Sequence, residues 1–133
     1  MNRTTLSLTL AALLASGSAF AAEQKLSGDQ EVPPVTTTAT GTGSITIASD
    51  GTVSGSVTTK GIDGTMAHIH TGKPGVNGPV IVPLSKTADG EWSAPAGAKL
   101  TPAQLKDFNE GGLYVNVHSA DHKGGELRAQ LKP

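Results

Sequence analysis

Leu113-Tyr114-Val115-Asn116-Val117-His118 is the stretch that decides the architecture. Apolar residues recur at every second position (Leu113, Val115, Val117), and Tyr114, Asn116 and His118 fill the gaps. A period of two belongs to a β-strand, whose successive side chains point to opposite faces. One face is therefore built for a core, and the other is free to carry chemistry. Met66-Ala67-His68-Ile69-His70 has the same form, with Ala67 and Ile69 facing inward and Met66, His68 and His70 on the opposite face. Where two such strands are neighbours, three of the chain's four histidines converge.

Outward from these stretches, the remaining segments also read as strands. Residues 24–28 form a short first one, and residues 29–34 an extended loop stiffened by Pro33 and Pro34. Residues 38–48 place Ile45 and Ile47 on one face, and Asp50-Gly51 signals a hairpin into residues 52–59, where Val53 and Val57 share a face. These two segments should pair antiparallel. Residues 71–78, rich in turn formers, begin directly after His70. Val80-Ile81-Val82-Pro83-Leu84 is a continuous apolar run, placed at a sheet edge because Pro83 has no N–H for a ladder. Residues 91–93 and 126–131 complete the set, the last with Leu127, Ala129 and Leu131 alternating with Glu126, Arg128 and Gln130.

One helix is marked. Thr101 is an N-cap residue, Pro102 suits the first helical position, and Gln104 completes a capping box. Leu100 and Leu105 occupy the positions of a hydrophobic staple, and Gly111 or Gly112 ends the helix. About eight short strands with one short helix imply an all-β sandwich or closed barrel.

Composition narrows the function. Arg3, an apolar run over residues 6–14 and Ala19-Phe20-Ala21 have the form of a signal peptide, so residues 1–21 are expected to be removed and residues 22–133 to form one exported domain, periplasmic or secreted. The apolar run is too short to span a bilayer. The formal charge is -1, with acidic and basic residues scattered, which argues against a nucleic-acid surface or a polybasic membrane patch. There is no cysteine. Thiolate metal sites, iron–sulfur clusters, blue-copper centres and cysteine nucleophiles are thereby excluded.

His68, His70 and His118 are the candidate metal ligands, with Met66 as a further candidate. Three imidazoles suit zinc, copper, iron or nickel, and an adjacent thioether tilts the choice to copper, with zinc as the alternative. Asn116 and Tyr114 are placed to hydrogen-bond ligands or bound water. His122 is expected in an exposed loop. No Gly-x-Ser-x-Gly elbow or phosphate-binding loop is present.

Several blocks in order resemble the chordin-type (CHRD) domain: Leu26-Ser27-Gly28-Asp29-Gln30-Glu31-Val32-Pro33-Pro34, Ala67-His68-Ile69-His70, Asn77-Gly78-Pro79-Val80, the stretch 113–118, and Gly124-Gly125-Glu126-Leu127-Arg128-Ala129-Gln130-Leu131. The resemblance implies an immunoglobulin-like fold and, from animal members, a protein-binding module. The His-x-His strand, the Val-x-Val-His strand end and the Gly-Gly-x-x-Arg turn more distantly resemble copper–zinc superoxide dismutases, Greek-key β-barrels. That likeness implies His68, His70 and His118 as copper ligands and sets Arg128 near an active-site arginine. The chain departs from it in lacking a zinc-bridging His after His70, a zinc carboxylate cluster and a disulfide. The leading expectation is one mononuclear copper site serving copper handling or redox chemistry. The alternatives are a metal-free module for protein binding or adhesion in the cell envelope, and a superoxide dismutase-like oxidoreductase.

Overall fold

The computed structural model describes residues 23–133, so the expected signal peptide lies outside the described residues. The strands are β1 (Gln24–Leu26), β2 (Thr40–Gly43), β3 (Thr46–Ile47), β4 (Val53–Ser54), β5 (Ser56–Lys60), β6 (Gly64–Thr71), β7 (Val80–Pro83), β8 (Ser85–Ala88), β9 (Glu91–Ser93), β10 (Leu113–Ser119) and β11 (Leu127–Leu131). Helix α1 (Pro102–Asn109) sits between β9 and β10. One sheet runs β1-β2-β5-β9-β8, a second runs β11-β10-β6-β7, and β3-β4 form a small ribbon. The protein is an all-β sandwich.

The strand count exceeds the expected eight for local reasons. The segments 38–48 and 52–59 are each divided, the second at Gly55, whose carbonyl turns out of the ladder to accept from Ala94 N–H at 3.0 Å. Ser85–Ala88 forms a further strand whose four residues are all exposed, so it carries no hydrophobic alternation to read. Where residues 29–34 were expected to be extended, a 3-10 turn at Gly28–Gln30 comes first.

Apolar positions of the two sheets meet in one core. Ala67, Ile69, Val115, Val117, Leu127 and Leu131 face Leu26, Val57 and Trp92, all of them nearly inaccessible. Burial of this kind, at about 25 cal/mol per Å² of apolar surface, is what holds a cysteine-free domain together. The sandwich is tied along both long edges. Ser27 and Arg128 exchange backbone hydrogen bonds at 3.1 and 3.0 Å, joining β1 to β11. On the other side the chain passes from β7 to β8 through Leu84, whose N–H donates to Ala67 O at 2.9 Å. β7 is the edge strand of its sheet, as Pro83 requires.

The helix forms as its sequence dictates. Thr101 accepts from Gln104 N–H at 3.2 Å, Gln104 Oε1 accepts from Thr101 N–H at 3.0 Å, and Pro102 is the first helical residue. Leu100 is buried, and Leu105 and Phe108 pack on the core. Gly111, at φ +77°, follows its C-terminus.

Candidate metal centre

β10 is central to its sheet, and its polar face is as buried as its apolar one. The antiparallel register against β6 pairs Tyr114 with His70, Asn116 with His68, and His118 with Met66. The outer face of the two strands thus presents a grid: Met66 and His118 at one end, His68 and Asn116 in the middle, His70 and Tyr114 at the other. His118 is diagonal to His68. Directly opposed Cβ atoms in such a pair lie about 5 Å apart, close enough for the rings to meet.

They do meet. His68 Nδ1 and His118 Nε2 are 3.1 Å apart, and one ring nitrogen from each of His68, His70 and His118 lies within 4.8 Å of the others. His70 and His118 are buried and His68 is half-buried. Burial is the main reason that both His68 and His70 have pKa values below the usual imidazole range. For His68 the neighbouring rings add to the effect, whereas for His70 the Gly78 carbonyl opposes it.

Backbone carbonyls fix the tautomers. His70 Nδ1 lies 2.9 Å from Gly78 O, and His118 Nδ1 lies 2.8 Å from Lys123 O. A carbonyl only accepts, so each Nδ1 carries the proton and each Nε2 keeps its lone pair. His118 Nε2 accepts from His68 Nδ1–H. His70 Nε2 is buried without any partner. An imidazole oriented by a carbonyl through one nitrogen, with the other left bare as in His70, is built as a metal ligand is.

The loop that provides Gly78 is held in place from below. Tyr114 stacks on His70, with ring centroids 4.7 Å apart and planes 5° from parallel, and its hydroxyl accepts from Gly78 N–H at 3.1 Å. Arg128, only 1% exposed, packs its guanidinium 3.5 Å from the Tyr114 ring centroid. It donates to Lys73 O at 3.1 Å, Val76 O at 3.0 Å and Asn77 Oδ1 at 3.4 Å. Asn77 Nδ2 in turn donates to Val32 O at 2.7 Å. Gly78 is required by close approach, since a Cβ there would run into the Thr71 carbonyl oxygen.

The sequence-derived candidates fall as follows. His68, His70 and His118 come together, and Tyr114 and Arg128 support them through one stack. Asn116 lies in the middle of the grid, 2% exposed, with Oδ1 unpartnered. Met66 stands opposite His118 but is 52% exposed. His122 is half-buried rather than exposed: its N–H donates to Ser119 Oγ at 3.2 Å and its carbonyl accepts from Ser119 N–H at 3.3 Å, which holds it at the end of β10.

Glu31 was not singled out in the sequence. It is 4% exposed, its carboxyl hydrogen-bonds the Asn116 amide, and burial pushes its pKa up to about 7 against the pull of Arg128 and Asn116. Its neighbour Gly125 has φ +119°, and a Cβ there would lie 2.6 Å from Asn116 Nδ2 and 2.7 Å from Glu31 Oε1. A glutamate beside two prolines reads as a surface residue. The carbonyls of Gly78 and Lys123 carry no side-chain signal at all.

No curated protein and no solved structure gave a significant match to the chain. The family model of the CHRD domain matches residues 22–131, a span that takes in every element of the sandwich and all the residues of the histidine cluster, and the chain belongs to the CHRD domain family.

Proposed function

We propose that the protein is exported, to the periplasm or beyond, and there binds a single copper ion through His68, His70 and His118 for copper handling or redox chemistry. One observation carries this reading: the buried, partnerless Nε2 of His70, on a ring whose tautomer Gly78 O fixes, beside a second such ring in His118. A buried polar atom without a partner costs about 1–3 kcal/mol. An ion accepting its lone pair removes that cost.

The donor set fits a small transition-metal ion. Two nitrogens bound at about 2.0 Å to a tetrahedral ion stand roughly 3.3 Å apart. The His68–His118 pair at 3.1 Å has that separation, and binding there moves the His68 proton from Nδ1 to Nε2. The 4.8 Å limit on the full set leaves at most about 1.5 Å of inward shift at its widest. Copper heads the divalent affinity order for such ligands, and zinc is the alternative metal. No other three-member group of His, Cys, Asp or Glu that could hold a metal is found among the described residues, which favours a mononuclear site over a dismutase-like copper–zinc pair. When bound, copper would supply one-electron redox chemistry. The chain's own residues hold it, orient it and limit its contact with water.

The test is elemental analysis of untagged residues 22–133 after titration with Cu(I), Cu(II) and Zn(II) and desalting, alongside a His68→Ala/His70→Ala/His118→Ala variant. The expected result is one equivalent of copper on the wild type and none on the variant. Equal loading of both, or of neither, refutes the site, and the second outcome turns attention to a protein partner.

A further inference from the structure

Asn116 holds the middle of the histidine grid. It is paired with His68 across the strands, flanked on its own strand by His118 and Tyr114, and diagonal to His70. A short side chain among imidazoles sits at their base, and Asn116 is 2% exposed. Two observations orient its amide. Its side chain hydrogen-bonds the Glu31 carboxyl, which as an acceptor takes the Nδ2 end. Its Oδ1 is buried with no hydrogen-bond partner.

The other orphan of the cluster is His70 Nε2, on the ring diagonal to Asn116 across the strands. Both atoms are acceptors once Gly78 O has fixed the His70 proton on Nδ1. Two buried acceptors side by side repel each other unless a cation lies between them. A metal ion taking a lone pair from each would satisfy both orphaned atoms at once.

We propose that Asn116 Oδ1 is a fourth metal ligand, positioned by Glu31, so that the site is a three-nitrogen, one-oxygen set that selects the divalent ion, copper(II) or zinc(II), over copper(I). The inference rests on the copper-site reading above. Carbonyl oxygen is a hard donor, and it contributes little to a soft monovalent ion. Met66, exposed at the open end of the grid, then lies outside the divalent coordination shell. Glu31 is a positioning residue: it touches no metal and acts by holding the amide so that oxygen faces inward.

The first test is a crystal structure of wild-type residues 22–133 loaded with Cu(II). An Oδ1-to-metal distance of about 2.0–2.2 Å is expected. A metal on the three histidines with Asn116 Oδ1 bonded only to water overturns the inference and leaves the copper site standing. The second test compares Asn116→Leu, of similar shape without polar atoms, with Asn116→Asp, which keeps an oxygen in place. Affinities come from chelator competition and the ligand set from Cu(II) electron paramagnetic resonance. Asn116→Leu should weaken Cu(II) and Zn(II) binding at least about tenfold, move Cu(I) binding less than threefold and change the Cu(II) hyperfine splitting. Asn116→Asp should hold divalent affinity within tenfold of wild type or tighten it. Unchanged Cu(II) affinity and spectrum in a folded Asn116→Leu protein refute the ligand role. A wild type that takes up no metal refutes the underlying reading and this inference with it.

Discussion

Replacing Glu31 with Gln should stabilise the metal-free protein at alkaline pH and leave it nearly unchanged in acid. Glu31 is 4% exposed, and burial raises its carboxyl from 4.5 to about 7. Between those values the folded protein keeps a proton that the unfolded chain has released. The native state therefore binds more protons, and stability falls as pH rises from about 4.5 through about 7, staying low above it. At roughly 1.4 kcal/mol per pKa unit, the shift bounds the cost at about 3 kcal/mol above pH 7. Gln keeps the size and an acceptor oxygen for the Asn116 amide, but it has no charge to bury. The assay is urea unfolding followed by the fluorescence of Trp92, the sole tryptophan and a core residue, in wild type and Glu31→Gln at pH 4.5 and pH 8. Every other titrating group is shared, so the difference between the curves isolates Glu31. The gap should grow from near zero to between about 1 and 3 kcal/mol in favour of Gln. A gap that is the same at both pH values, or a less stable Gln variant at pH 8, refutes the reasoning.

Three further outcomes follow from the site and its supports. Because burial holds His68 and His70 below the usual imidazole range, protons compete with metal only at lower pH, and Zn(II) affinity should change less than tenfold between pH 7.5 and 6.5; a steeper loss in a chelator titration counts against it. Arg128→Met strips the buried clamp on Lys73 O, Val76 O and Asn77 and should cost about 3–5 kcal/mol in urea unfolding, a loss below 1 kcal/mol being the contrary result. Thr101→Ala removes the helix cap and should cost about 1 kcal/mol without altering metal uptake, as measured by thermal unfolding and elemental analysis.

Much of the site was legible because strand geometry is periodic. The alternation at 66–70 and 113–118 assigned each histidine to a face, and the apolar partners Ile69, Val115 and Val117 are fully buried opposite them. The adjacency of β6 and β10 was not legible. β7, β8, β9 and α1 all intervene in the chain, and nothing local says which strands pair. Glu31 was missed for a related reason, since its burial is created by Gly125 and Asn116, some 90 residues away. The edge strand Ser85–Ala88 buries nothing and so left no pattern. The carbonyls that orient His70 and His118 belong to the backbone, where every residue offers the same group.

The backbone bridge between Ser27 and Arg128 bears on how the protein is made. Strands β1 and β11, almost at opposite ends of the described chain, are joined there, and the supports of the histidine cluster come from those same ends: Glu31 just after β1, Arg128 within β11. Contacts this distant in sequence form late and slowly. A chain cut after Glu126 would keep His68, His70 and His118 yet lack the arginine that clamps the Gly78 loop. The proposed ligands are thus complete well before the protein can hold them in place, and a nascent chain exposes three imidazole donors until its last strand docks.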